Sequence, residues 1–229
     1  MKAFVLILVC VLLGACVHHS SSSFNDIPGG RLLKVPLTAE YWDVVYDGGG
    51  VVKFDEDGLG ELVFYPRVAR KSGQTFSSLL LLKNSLVKPV NDFVVRAEVT
   101  TVRQLRSSTP NDWEVFWFVS NYRKDPKLVK TANYFLQKPN SGVELGRFFQ
   151  EKGQKFLMTS QAAPLEIGAR STFYFVKQGK RYRVFRDGDL VLDYLGKEMP
   201  ESLYDQAGAL GLYSEDAVVR LHSFEYKIL

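Results

Sequence analysis

The segment 113–123, with the sequence WEVFWFVSNYR, restricts the fold of this chain more than any other stretch. Five of its eleven side chains are aromatic, two more are β-branched, and it contains no glycine or proline. This composition favours a β-strand, whose successive side chains face opposite sides of the sheet. The odd positions carry Trp113, Val115, Trp117, Val119 and Asn121, and the even positions carry Glu114, Phe116, Phe118, Ser120 and Tyr122. Because neither set suits water throughout, the segment is predicted to lie in the middle of a covered sheet.

Similar strand-like runs, separated by turn residues, continue to the C-terminus. The clearest hairpin joins 182–186 to 190–194 through Asp187-Gly188, a pair typical of two-residue turns. One helical turn is expected, at 200–206. The pattern predicts an all-β fold with very little helix: a two-sheet antiparallel sandwich formed by residues 31–229 as one domain.

The N-terminus has the pattern of a secretory signal. Lys2 is followed by an apolar run at 3–13, which is shorter than the ~20 residues of a spanning helix. Leu13-Gly14-Ala15-Cys16 resembles the bacterial lipobox, and this implies removal of residues 1–15 and lipidation of Cys16. Val17, where inner-membrane lipoproteins typically carry Asp, then favours the outer membrane of the cell envelope.

Residues 16–30 are rich in Ser and Gly and are predicted to be a flexible tether. The two cysteines, Cys10 and Cys16, leave the folded part without a disulfide. The 29 basic and 25 acidic residues are interspersed, which argues against nucleic acid as a partner. The partner expected at this end of the chain is the membrane, through the lipid anchor.

The C-terminal half contains, in order, DFVVRAEV, the aromatic strand, PNSG, ELGRF, the hairpin FYFVKQGKRYRVFRDGDLVLDY and the ending GALGLYSEDAVVRLHSFEYKIL. This order resembles the concanavalin A-like jelly roll, and in particular the laminin-G-like and 3-keto-disaccharide-hydrolase-like domains of bacterial surface proteins. One departure is Arg170-Ser171-Thr172 in place of the Trp expected before FYFVKQG.

The resemblance implies that glycans bind across the concave face of the larger sheet. Sugar rings stack on aromatic side chains, and sugar hydroxyls need planar polar partners. The substrate-binding candidates are therefore Trp113, Trp117, Tyr122, Tyr134, Gln137, Arg96 and Arg147.

Glycoside hydrolysis requires two carboxyl groups about 5–9.5 Å apart. The catalytic candidates are Glu144 together with Glu98 or Glu114, each within an apolar strand. A structural alternative pairs Glu98 with Arg96 and Glu144 with Arg147 across strands. A polysaccharide lyase would instead use Tyr134, Gln137 and Arg147. The glycosidase signature E-x-D-x-x-E of jelly rolls is absent.

No metal or other cofactor is expected, although calcium could bind at Asp55 and Asp57 or at Glu215 and Asp216. Three histidines, His18, His19 and His222, make a zinc site improbable. Three functions remain open: a glycan hydrolase or lyase, a non-catalytic carbohydrate-binding or adhesion module, and a structural envelope protein. Facing carboxylates in an open groove would favour the first, an aromatic platform the second, and a flat apolar face the third.

Overall fold

The chain folds as two antiparallel β-sheets packed face to face, which confirms the predicted jelly-roll sandwich. The structure is a computed structural model that describes residues 23–54, 60–71, 73–124, 131–140, 142–149, 153–196 and 206–229. Its helical content within these residues is one 3₁₀ turn, Phe24–Asp26. No helix among them is long and apolar enough to cross a membrane.

The eight-stranded sheet contains, in spatial order, β13 (Asp189–Leu195), β12 (Arg181–Arg186), β11 (Arg170–Gln178), β6 (Phe93–Gln104), β15 (Ala217–Ile228), β4 (Leu62–Tyr65) and β3 (Val51–Lys53), with β1 (Leu33–Lys34) beside β15. The seven-stranded sheet contains β10 (Gly153–Ser160), β9 (Val143–Phe149), β8 (Thr131–Gln137), β7 (Phe116–Arg123), β14 (Ala209–Glu215), β5 (Ser77–Leu82) and β2 (Trp42–Tyr46). The predicted Asp-Gly hairpin joins β12 to β13, and Asp187 and Gly188 both have positive φ.

Strand β7 is formed by the aromatic segment and lies between β8 and β14, in the middle of its sheet as predicted. Its inward side chains include Phe118, which stacks on Phe175 of β11 with ring centroids 4.0 Å apart. At the other end of the core, Trp42 of β2 meets Phe224 of β15 edge to face. Such pairs connect the two sheets and position the outer face of β7 above a packed core.

The start and the end of the aromatic segment depart from the predicted strand. Residues 113–115 form bends before β7, and Trp113 is exposed. Near the other end, Asn121 has φ 53° and the pairing with β8 shifts between Ser120 and Arg123. This β-bulge breaks the alternation: Asn121 turns inward to Asn133, and Tyr122 turns outward to join Trp117.

The described part of the predicted tether, residues 23–30, packs against the outer face of the eight-stranded sheet. The ring of Phe24 lies edge-on to Tyr174 at 5.0 Å and to Phe185 at 5.7 Å. Lys227 Nζ donates a hydrogen bond to Pro28 O at 3.1 Å. Phe24 and Ile27 thus supply apolar contacts that the Ser-rich composition did not indicate, and the flexible tether at 16–30 stays a prediction.

Several predicted features lie outside the described residues. These are the signal sequence, Cys16, the histidine pair at 18–19, the carboxylates Asp55 and Asp57, and nearly all of the helical turn at 200–206.

Candidate functional site: an aromatic groove

A groove with a volume of about 280 Å³ lies on the outer face of the seven-stranded sheet. We call it the aromatic groove. It is lined by Tyr46, Leu79, Trp117, Val119, Tyr122, Ala132, Tyr134, Phe148, Gln154 and Tyr213. Every one of these side chains is uncharged, and six are aromatic. The groove lies on the sheet with fewer strands, whereas the family resemblance implied that glycans bind on the larger sheet.

Three rings form the floor of the aromatic groove, and the central one, Trp117, contacts the other two. Trp117 lies 4.9 Å from Tyr134 and 5.1 Å from Tyr213, centroid to centroid. The rings come together through strand pairing. Tyr213 of β14 is paired with Trp117 of β7, and on the other side Tyr134 of β8 lies two residues from Leu136, the partner of Trp117. The ring of Tyr134 also crosses Gly146 of β9, where an added Cβ would lie 2.2 Å from the ring. A glycine is therefore required beneath this ring.

Tyrosine hydroxyls form the polar part of the site. Burial, and then the charge of Tyr122, raises the pKa of Tyr46 to about 12. Burial is also the main reason that the pKa of Tyr134 and the pKa of Tyr213 are raised, with Glu144 and Glu215 adding to the effect. All three hydroxyls therefore stay protonated at physiological pH and remain hydrogen-bond donors.

Two carboxylates flank the aromatic groove, and each is held by a tyrosine. The Tyr134 hydroxyl donates to Glu144 Oε1 at 2.9 Å, and Lys138 Nζ lies 3.0 Å from Glu144 Oε2. The Tyr213 hydroxyl donates to Glu215 Oε2 at 2.9 Å. Burial raises the pKa of Glu215. Strands β9 and β14 are three strand spacings apart, about 14 Å, so these carboxylates do not form a close pair.

Glu98, predicted as a partner of Glu144, lies on the other sheet. It is on the outer face of β6, where Arg96 and Arg170 both donate hydrogen bonds to its carboxylate. Arg96 also lies 3.2 Å from Glu225. Burial alone would raise the pKa of Glu98, but the two arginines lower it. The structural alternative, an ion pair with Arg96, therefore describes Glu98.

Glu114, the other predicted partner, is fully buried beneath the loop that follows β6. Arg106 Nε donates to Glu114 Oε1 at 3.2 Å, and Ser107 Oγ donates to the same oxygen at 2.6 Å. Another nitrogen of the same guanidinium, Arg106 Nη1, lies 3.5 Å from Asp216 Oδ2. The structure therefore places Glu144, Glu98 and Glu114 in three separate environments, and does not form the predicted catalytic pair.

Arg106 also affects the predicted calcium site at Glu215 and Asp216. Its guanidinium supplies the positive charge between Glu114 and Asp216, where a cation would otherwise be needed. No group of three or more metal-ligating side chains occurs among the described residues. These residues do not fit a calcium site, and calcium at Asp55 and Asp57 stays a prediction.

Gln137 and Arg147 belong to the inner face of the seven-stranded sheet. Gln137 Nε2 donates to Ala163 O at 2.6 Å, and Arg147 Nε donates to Asn133 Oδ1 at 2.8 Å. Tyr134 points to the opposite face. The three residues proposed for a lyase are therefore not brought together, because successive side chains of a strand face opposite sides of the sheet.

The remaining histidine, His222, lies in a separate polar cluster on the eight-stranded sheet. A bulge between Leu221 and Ser223 turns it outward. Its Nε2 is 3.0 Å from Thr100 Oγ1, and its Nδ1 is 2.9 Å from Glu61 Oε1. Burial, and then the charge of Arg170, lowers the pKa of His222.

Of the predicted binding residues, Trp117, Tyr122 and Tyr134 line the aromatic groove. Trp113 lies beside it, under Lys138 Nζ at 5.6 Å. Sequence reasoning missed Tyr46 and Tyr213, among others. Tyr213 could have been found from its place two residues after Gly211 in an alternating strand, whereas nothing in the sequence marked Gln154.

Comparison with solved structures shows the same fold at low sequence identity. The carbohydrate binding module CBM66 from Bacillus subtilis matches with a TM-score of 0.53 and 14% identity, over 79% of this chain and 91% of that chain. The VIP36 exoplasmic/lumenal domain, bound to Ca²⁺ and Man3GlcNAc, matches with a TM-score of 0.55 and 10% identity, over 87% and 91%.

A laminarinase from Flavobacterium sp. UMI-01 matches with a TM-score of 0.56 and 12% identity, over 86% of this chain and 99% of that chain. No protein-family model matches the sequence, and no curated protein matches it significantly. The comparisons show a concanavalin A-like jelly-roll fold.

Proposed function

We propose that this concanavalin A-like sandwich binds carbohydrate in the aromatic groove and leaves glycosidic bonds intact. The observation that carries the proposal is the floor formed by Trp117, Tyr134 and Tyr213, with open tyrosine walls above it. Aromatic rings receive the apolar faces of sugars, and protonated tyrosine hydroxyls donate to sugar oxygens. The fold neighbours CBM66 and the VIP36 domain bound to Man3GlcNAc support carbohydrate binding.

Non-catalytic binding is favoured over hydrolysis by the carboxylates. Glu144 is close to the groove but is held by Tyr134 and Lys138. A second carboxyl group within about 9.5 Å is required for either stereochemical outcome, and Glu98 and Glu114 lie elsewhere. A hydrolase in which Glu144 acts as the acid is the second candidate, favoured by the direct hydrogen bond between Glu144 and a floor tyrosine.

Envelope anchoring is the second part of the proposal. The lipobox-like sequence at 13–16 supports lipidation of Cys16, with outer-membrane placement supported by Val17. Palmitate labelling of the full chain and of the variant Cys16→Ala tests it: label in the first and none in the second is expected.

Replacing one tyrosine on each sheet by alanine tests carbohydrate binding. Tyr46, a wall residue of the groove, is 41% exposed, and Tyr65 on the eight-stranded sheet is 39% exposed. On a glycan array followed by calorimetry, Tyr46→Ala is expected to weaken binding about tenfold or more, equal to ~1.4 kcal/mol. Tyr65→Ala serves as the control and should bind like the unmodified protein.

Equal loss in both variants, or no binding to any glycan, would overturn the proposal. Chromatography of the bound glycans then separates the two candidates. Unchanged oligosaccharides are expected. Shortened products that disappear in Glu144→Gln would establish the hydrolase instead.

A further inference from the structure

A second and larger cavity opens on the same face, directly beyond Tyr122. Its volume is about 860 Å³, and its charged lining residues are Asp43, Lys83, Arg123 and Lys124. We call it the basic cavity, because three of these four side chains are cationic. The described residues that line the aromatic groove, by contrast, are all uncharged.

The two cavities are neighbours along the strand direction. Tyr122 lines both of them. On β5, Leu79 lines the aromatic groove and Leu81 lines the basic cavity, and two positions along a strand correspond to about 7 Å. On β2, Tyr46 lines the aromatic groove and Asp43 lines the basic cavity. The basic cavity is therefore within reach of the next unit of a ligand whose first ring occupies the groove.

Charge is separated along this face. Lys83 donates to Ala39 O at 2.8 Å and lies 3.8 Å from Asp43, so these two side chains partly offset each other. Among the lining residues that the structure describes, the remaining positive charge comes from Lys124 and from Arg123, whose guanidinium lies 3.5 Å from Thr131 Oγ1. At the groove, Lys138 offsets the charge of Glu144, and Glu215 adds a negative charge that disfavours an anion. One end of the face therefore favours an anionic group, and the other disfavours it.

From this separation we infer that the ligand is an acidic saccharide. An uncharged ring lies in the aromatic groove, and an anionic substituent of the adjoining unit lies in the basic cavity near Arg123 and Lys124. The substituent is a carboxylate, a sulfate or a phosphate, all of which a guanidinium can bind through two parallel hydrogen bonds. This inference rests on the proposed function and specifies the class of glycan.

Matched oligosaccharides test the inference. The probes share one neutral backbone and carry, on one unit, a hydroxymethyl group, a carboxylate, a sulfate or a phosphate. At least one acidic probe is expected to bind about tenfold more tightly than the neutral probe, and comparison among the three identifies the anion. The advantage should shrink in ~1 M salt, where the Debye length is about 3 Å.

Charge-neutralising variants locate the effect. The double variant Arg123→Gln/Lys124→Gln is expected to lose the preference for the acidic probe and to retain neutral binding. The double variant Lys34→Gln/Lys155→Gln removes the same charge from exposed positions on β1 and β10 and should keep the preference.

The outcomes distinguish the two proposals. Equal binding of neutral and acidic probes, lost in Tyr46→Ala, would overturn the acidic ligand and leave carbohydrate binding standing. A preference that survives Arg123→Gln/Lys124→Gln would also overturn it. Binding of no probe would overturn both.

Discussion

One backbone torsion angle determines which side chains of β7 reach the groove. Asn121 adopts φ 53°, a conformation that Asn tolerates better than most residues. Its amide nitrogen donates to Val90 O at 3.2 Å and Gln206 O at 3.2 Å, and these bonds hold it inward. As a result Tyr122 faces outward with Trp117, although the sequence alternation assigns them to opposite faces.

A single glycine supports the floor of the aromatic groove, and this leads to a prediction. In Gly146→Ala the new methyl group meets the Tyr134 ring at 2.2 Å, so the ring must move. We expect a loss of about 1–3 kcal/mol in the free energy of unfolding, as for other overpacked sites, and at least tenfold weaker glycan binding. Urea unfolding and calorimetry measure the two effects.

Gly29→Ala is the matched control, because nothing lies within 4 Å of a Cβ built there. It should leave both quantities unchanged. Unaltered glycan binding in Gly146→Ala would show that the position of the Tyr134 ring is unimportant for the ligand.

The strands themselves follow from the sequence, but the partners of their polar side chains do not. Arg96 and Glu98 are two residues apart in β6 and share a face, because that strand pairs regularly with β11. Alternation could not show that Arg170 would meet Glu98, or that Lys138 rather than Arg147 would pair with Glu144. These contacts depend on strand order and register, which connect residues distant in sequence.

The N-terminal segment 23–30 behaves as an element of the fold, and its anchor can be tested. Phe24 is 40% exposed yet makes two edge-to-face contacts, each worth about 0.5–1.5 kcal/mol. Phe24→Ala is expected to lower the free energy of unfolding by about 1–2 kcal/mol and to speed trypsin cleavage after Arg31. Timed proteolysis followed by mass spectrometry detects the cut.

Leu33→Ala is the control for this segment, since Leu33 is 54% exposed on β1. Trypsin should cleave this variant after Arg31 at the same rate as the unmodified protein. If Phe24→Ala is cleaved no faster, the contacts of Phe24 do not hold the segment on the sheet.

At the scale of the whole molecule, acid is expected to weaken the fold through His222. Its pKa is lowered in the folded state, mainly by burial, so the unfolded chain takes up a proton first as the pH falls below about 6.5. The contribution of His222 to stability is therefore present above that pH and is lost below it. Glu61, Arg170, Arg220 and Thr100 surround the ring.

Urea unfolding at about pH 8 and about pH 5.5 tests this in the unmodified protein and in His222→Gln. The unmodified protein should lose more stability on acidification than the variant. Glu215 and Asp216, whose pKa values are raised, act in the opposite sense but are common to both proteins. Identical losses would assign the pH dependence to other groups.

The chain reaches the sandwich along the outer face of one sheet, while the aromatic groove opens on the outer face of the other. The distance from Cys16 to Ser23 is at most about 25 Å of extended chain, so the proposed acyl group at Cys16 would hold the segment 23–30 on the eight-stranded sheet within about that distance of the bilayer. The face that carries the aromatic groove would then be the one farther from the attachment point, open to polymers of the surrounding compartment.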